Sequence, residues 1–200
     1  MNLAPQTSRE ESTYWTLLQE GSQAGLEFFY QKYVDDLFSF GMGIVRSEDQ
    51  VKDAIQEVFL DLWKYRGRLS DSVQVRSYLY KCLAHKIFRL HRKDQKTQQM
   101  NWEYTGEREA VVESSESKLI QFQVEDHLRE SLSQAIAKLP ERQRAVINCL
   151  FFEEFSYEET SQIMNINLRS TYTLAWKAIA SLKKHLFKAM NILFLLAFLG

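Results

Sequence analysis

The chain has 200 residues, 45% hydrophobic and 13% aromatic, and carries a formal net charge of −1. That length supports one ordinary domain or two small ones with packed cores, and the near-neutral total excludes a uniformly basic nucleic-acid coat. Only two cysteines occur, Cys82 and Cys149, each among apolar neighbours and far apart in sequence. This excludes a disulfide framework and suits buried thiols in a reducing compartment, with the cytoplasm the expected location.

Seven glycines, two prolines and long stretches rich in Leu, Glu, Gln, Lys and Ala predict an all-α fold. The opening MNLAPQTSREES is polar and has no apolar run of the signal-peptide kind. From Thr13 to Tyr65 the apolar spacing is helical, with turns expected near Gly21 and Gly25 and close helix packing at Gly41 and Gly43. A helix opening near Ser47 contains DAIQEVFLDLW (Asp53–Trp63), and along that helix the carboxylates Asp49, Asp53, Glu57 and Asp61 recur every four residues. Like charges at that spacing cost a helix about 0.2–0.5 kcal/mol per pair. The wheel buries Val51, Ile55, Val58 and Leu62 and leaves Leu60 on the acidic side. An apolar residue with a charged rim is the pattern of a docking patch, and a basic partner would relieve the repulsion.

Gly67–Val75 is a loop by composition, and a long helix is expected from about Arg76 to Arg92. Its stripe Leu79, Leu83, Ile87 and Leu90 faces inward. Lys81, His85, Arg89, Arg92 and Lys96 face outward, with Phe88 among them, Tyr78 at the edge and the Lys86 stem snorkelling. Cations interleaved with aromatics suit a strand of unstacked bases. Residues 94–126 lack a sustained period and are rich in Gln, Glu and Ser, so they form a linker.

Beyond it the helical period returns at Leu128, Pro140 starts a helix ending near Phe155, and Ser156 with Glu159 forms a capping box. Asn165 tolerates the left-handed conformation, and Asn167 caps a final long helix. This segment has the dimensions of a helix-turn-helix. Thr171, Ala175, Ala178 and Leu182 share its inner face; Arg169, Tyr172, Thr173, Trp176 and Lys177 share the outer one, as major-groove reading requires. A solvated bundle helix is the alternative for each basic helix.

Charge is segregated along the chain: residues 81–96 and 166–188 each sum to +5, and residues 101–130 to −5. Two basic blocks around an acidic one are the footprint of a nucleic-acid binder with a partner. His85, His91, His127 and His185 are scattered, and no Gly-rich phosphate loop occurs, so neither catalysis, metal nor cofactor is expected.

Four motifs in order resemble those of a sigma-70 family RNA polymerase sigma factor. They are Asp53, Gln56, Glu57, Phe59 and Trp63; Ser77 to Ala84 before a basic run; Leu139 to Val146; and Phe155 to Glu159 opening the helix-turn-helix. The short form, two domains and a linker, is similar to the extracytoplasmic function (ECF) subfamily.

The resemblance implies a region 2-like domain over 1–93, a linker over 94–126, a region 4-like domain over 127–188 and an apolar tail over 189–200. It implies that Asp53, Gln56, Glu57 and Leu60 dock on the β′ clamp helices of core RNA polymerase, the β flap being a second contact. Tyr78, Lys81, His85, Arg89, Arg92 and Lys93, with the loop Gly67–Gln74, would melt and hold the minus-ten element. Arg169, Ser170, Tyr172, Thr173, Trp176 and Lys177 would read the minus-thirty-five element, while the linker threads toward the active-site cleft. Promoter DNA and an anti-sigma factor are the further implied partners. His85 and Lys86 stand where many relatives have Arg-Asn, and Leu174 where many have a basic residue.

The tail, Ile192–Leu199, is too short to span a bilayer, which needs about 20 residues; it is expected to pack on its own domain or a partner, membrane-surface contact being the alternative. A conventional helix-turn-helix regulator is the rival reading, and a helical interaction protein with no nucleic-acid role is the third.

Overall fold

The computed structural model describes the backbone of residues 4–71, 73–100 and 120–199, and the side chains of 9–71, 73–90 and 129–186. Among them the elements are α1 (Ala4–Gln19), α2 (Gln23–Ile44), α3 (Glu48–Lys64), a 3-10 turn (Arg66–Arg68), α4 (Val75–Met100), α5 (Ile120–Ala137), α6 (Glu141–Ile147), a π turn (Asn148–Phe152), α7 (Tyr157–Ile163) and α8 (Leu168–Leu199). The all-α expectation holds, with no strand among the described residues.

In the N-terminal half, α2 contributes Phe29, Tyr33, Leu37, Phe40 and Ile44 to the core, spaced three or four residues apart on one face. Ser47 caps α3 by accepting from the Gln50 N–H, and Glu48 and Asp49 lie in its first turn, where the positive end of the helix dipole offsets their charge. Gly21 makes the turn between α1 and α2 at φ +89°. Gly25 does not turn: it lies inside α2, where a Cβ would fall 2.5 Å from the Leu18 backbone nitrogen, so it allows α1 and α2 to cross closely. The Trp15 indole donates to the Ser70 carbonyl at 3.0 Å and the Gln19 amide to the Leu69 carbonyl at 2.9 Å, so α1 straps down the loop before α4.

Several helix ends differ from the sequence expectation. Helix α4 runs to Met100 and α5 starts at Ile120, so helix covers both ends of the expected linker and residues 101–119 lie outside the described part. The helix expected through Phe155 ends at Ile147 and widens into the π turn. Tertiary contacts override its apolar period there: Asn148 turns inward and donates to the Phe40 carbonyl at 3.0 Å, while Phe151 and Phe152 turn outward. Pro140 is the cap preceding α6, one position earlier than its expected helical place.

The two halves share one core. Phe40 and Tyr80 from the first meet Val146, Cys149 and Phe155 from the second in a single apolar cluster. Both cysteines are free, and burial pushes the Cys149 thiol up to about 12. Cys149 is thus an inert buried thiol, whereas Cys82, expected to be buried too, is only half-buried, with its thiol also raised by burial.

Candidate nucleic-acid and partner interfaces

On α3 the wheel is realised: Val51, Ile55, Val58 and Leu62 are buried, Asp53 and Gln56 are exposed, and Leu60 is 60% exposed. The repulsion along the stripe is relieved within the chain. Lys86 of α4 does not snorkel to solvent; its Nζ lies 3.1 Å from Glu57 and 2.6 Å from Asp61, and Arg89 reaches Glu57 at 3.2 Å. The basic partner inferred for the stripe is therefore partly α4 itself. Replacing Lys86 with methionine is expected to destabilise the fold by about 1 kcal/mol. Urea unfolding would show a lower midpoint at unchanged slope, with the difference shrinking at 1 M salt.

Leu60 stands at the lip of a groove of about 1070 Å³ between α2 and α3, also lined by Leu26, Tyr30, Val34, Phe38 and Phe59. Tyr30 is 47% exposed and packs edge-on against Phe59, with ring centroids 5.1 Å apart. Sequence reasoning missed Tyr30, although a signal was present: Leu26, Tyr30, Val34 and Phe38 form a second apolar stripe on α2 beside the one that feeds the core.

On α4, Lys81, His85 and Arg89 are exposed. Tyr78 is half-buried edge-on against Trp15, and burial pushes its hydroxyl up to about 12. Phe88, expected on the outer face, is buried beneath the Arg142 guanidinium, 5.5 Å from its ring centre. The C-terminal half covers what would otherwise be an exposed ring. The side chains of Arg92 and Lys93 lie outside the described residues.

The helix-turn-helix forms as its caps dictate. Ser156 and Glu159 complete the capping box of α7, Asn165 takes φ 50°, and the Asn167 carboxamide accepts from the Ser170 N–H at 2.8 Å to start α8. Thr171, Ala175 and Ala178 are buried, while Arg169, Ser170, Tyr172, Thr173, Trp176 and Lys177 are exposed on the other side. The Tyr172 ring stacks on Tyr157 at 4.1 Å, which fixes its direction. Trp176 is 70% exposed. Cations, amphipathic rings and a hydroxyl on one open helix face can meet phosphates and base edges together. Phe151 and Phe152, 59% and 62% exposed, form an apolar pair that the expected continuous helix concealed.

This geometry places a helix-turn-helix with a cationic and aromatic outer face on α7 and α8, and an apolar groove with an acidic rim between α2 and α3. Sigma-70 region 2 matches residues 29–97 and Sigma-70 region 4 matches residues 129–191. Among curated relatives, the RNA polymerase sigma factor YlaC of Bacillus subtilis is 24% identical over 168 residues, covering 82% of this chain and 93% of that protein. The ECF RNA polymerase sigma factor SigM of the same organism is 23% identical over 158 residues, covering 79% and 93%.

Two solved structures share the fold. CnrH, in complex with the cytosolic domain of CnrY, has a TM-score of 0.60 at 15% identity, with 89% of this chain and 97% of that one covered. The sigma factor RpoE in complex with the anti-sigma factor NepR, from Bartonella quintana, has a TM-score of 0.59 at 16% identity, with 80% and 97% covered. The chain belongs to the sigma-70 family, in its ECF subfamily. It is a factor for promoter-specific, DNA-templated transcription initiation by RNA polymerase. Among the described residues, no helix is long and apolar enough to cross a membrane.

Proposed function

We propose that residues 1–93 form the unit that docks on core RNA polymerase and holds the minus-ten element, and that residues 127–188 form the unit that reads the minus-thirty-five element. Asp53, Gln56, Glu57 and Leu60 meet the β′ clamp helices, with the α2–α3 groove completing the surface. Tyr78, Lys81, His85, Arg89, Arg92 and Lys93 face the melted strand, and Arg169, Ser170, Tyr172, Thr173, Trp176 and Lys177 face the upstream duplex. Phe151 and Phe152 suit the β flap contact, and residues 94–126 link the two units; the side chains of the tail from 189 lie outside the described residues. The chain acts in the cytoplasm, is not itself an enzyme, and is held in check by an anti-sigma factor, as the RpoE–NepR complex suggests.

The observation that carries this reading is Leu60, an exposed leucine at the lip of an apolar groove inside an acidic rim. Solvent alone gives such a residue no role. Transcription reconstituted from the purified chain and core enzyme on a promoter library tests it. Transcripts that need both components and share upstream and downstream elements are expected; a folded chain yielding none across the library would overturn the reading.

A further inference from the structure

Helix α1 carries none of the residues read above as meeting polymerase or DNA, yet it grips the connector between the two helices that do. Between the end of α3 at Lys64 and the start of α4 at Val75, the regular backbone amounts to one 3-10 turn, Arg66–Arg68. The next three residues are held by α1. The Gln19 amide donates to the Leu69 carbonyl and to the Asp71 carboxylate, both at 2.9 Å, and the Trp15 indole donates to the Ser70 carbonyl at 3.0 Å.

The anchors are themselves fixed. Trp15 is buried and packs edge-on against Phe29 of α2 and Tyr78 of α4, with ring centroids 5.6 and 6.0 Å away. Its ring therefore supports Tyr78 while its N–H holds the connector. At the other end of the connector, Arg66 stacks on Trp63 at 4.3 Å and donates to the Trp63 carbonyl at 2.7 Å. It lies against the α1–α2 turn, where a Cβ on Gly21 would fall 3.3 Å from the Arg66 Nε.

The connector otherwise suits a polyanion. Lys64 and Arg68 are exposed, Arg66 is half-buried, and Tyr65 among them is 44% exposed. Asp71 is the one acid from Lys64 to Gln74, and a free carboxylate there would repel phosphate. Gln19 gives that carboxylate a donor within the chain.

We infer that Trp15 and Gln19 are positioning residues for downstream promoter specificity: they fix residues 69–71 in the conformation that, beside Tyr78, receives the preferred unstacked base. This rests on the reading that α4 and the connector hold the melted minus-ten strand. A loose connector could repack around a wrong base, and ordering it on binding would cost affinity for every sequence alike. A connector ordered in advance rejects the wrong base because it cannot yield.

Gln19 is the better probe, since it is half-buried and lies outside the apolar core that Trp15 and Leu18 enter. Gln19→Met keeps the length and loses the donor, Gln19→Glu keeps the shape and presents only acceptors, and Gln19→Lys restores a donor. On a library randomised over the downstream element, transcribed with core polymerase, Gln19→Met should lose about tenfold of the wild-type discrimination at the most selective position. Gln19→Glu should lose at least as much, and Gln19→Lys should recover part of it. Core affinity and preference over a randomised upstream element should stay at wild-type values, which a general loss of structure would not allow. In the free chain, limited trypsin cleavage after Arg68 should quicken in the Met and Glu variants. Wild-type downstream preference in Gln19→Met, an equal loss at the upstream element, unchanged cleavage, or a Gln19→Lys no better than Gln19→Met would each overturn the positioning role and leave the functional reading standing. A wild-type chain whose transcripts show no downstream preference would instead sink that reading, and the positioning role with it.

Discussion

Replacing Leu60 with aspartate is expected to weaken binding to core RNA polymerase by about 30-fold, the 2 kcal/mol typical of a central apolar anchor. The side chain is 60% exposed and lies on the far side of α3 from Val51, Ile55 and Val58. Its loss therefore removes little from the core, and the unfolding midpoint should move by the equivalent of no more than about 0.5 kcal/mol. That separation makes it a sharper probe than Glu57→Lys. A lysine at 57 would lose the contacts to Lys86 and Arg89 and set three cations together, so weakened binding could not be told from a disturbed α3–α4 pair. Tyr30→Ala should weaken binding in the same assay, and not additively with Leu60→Asp, because both line one groove. A titration of labelled core enzyme against the Leu60 variant decides the matter: wild-type affinity would move the docking face away from α3.

Replacing Trp176 with alanine is expected to cut transcription from the chain's own promoters at least tenfold and to flatten its preference among upstream sequences. Trp176 is 70% exposed on the outer face of α8, beyond the buried Ala175 and Ala178. It has no core role to lose, and a residue at a base edge is worth about 1–3 kcal/mol of discrimination. Lys177→Ala should behave differently. A lysine placed for phosphate contributes regardless of sequence, so its loss should weaken all promoters alike and reduce the salt slope by about 1. Measuring transcription from a library randomised over the upstream element separates the two effects. A Trp176 variant with the wild-type preference profile would show that α8 reads DNA through another face.

The helix-turn-helix was fully legible because its signals are local. The capping box at Ser156, the left-handed Asn165 and the Asn167 cap each act over three or four residues, and each forms as its chemistry requires. The inner faces of α3, α4 and α8 were legible for the same reason: helical period alone decides which side is apolar. Contacts between elements were not. Nothing near Lys86 in sequence tells that Glu57 and Asp61 will lie within 3.1 Å of it, and Phe88 read as exposed until Arg142 covered it. Phe151 and Phe152 were lost inside a helix that the period continued and the tertiary fold interrupted.

The sequence by itself therefore determined the helices, their caps, their apolar faces and the segregation of charge, and with them the family. These depend on neighbours a turn or two away along the chain. Only the tertiary structure decided which exposed groups remain open to a partner and which are taken up within the chain, because that depends on pairs from Glu57–Lys86 to Phe40–Asn148, separated by 29 to 108 positions. The acidic stripe on α3 shows both halves of the answer. Its spacing was visible as an energetic cost, and the fold meets that cost in part with a lysine from α4, leaving Leu60, Asp53 and Gln56 outward.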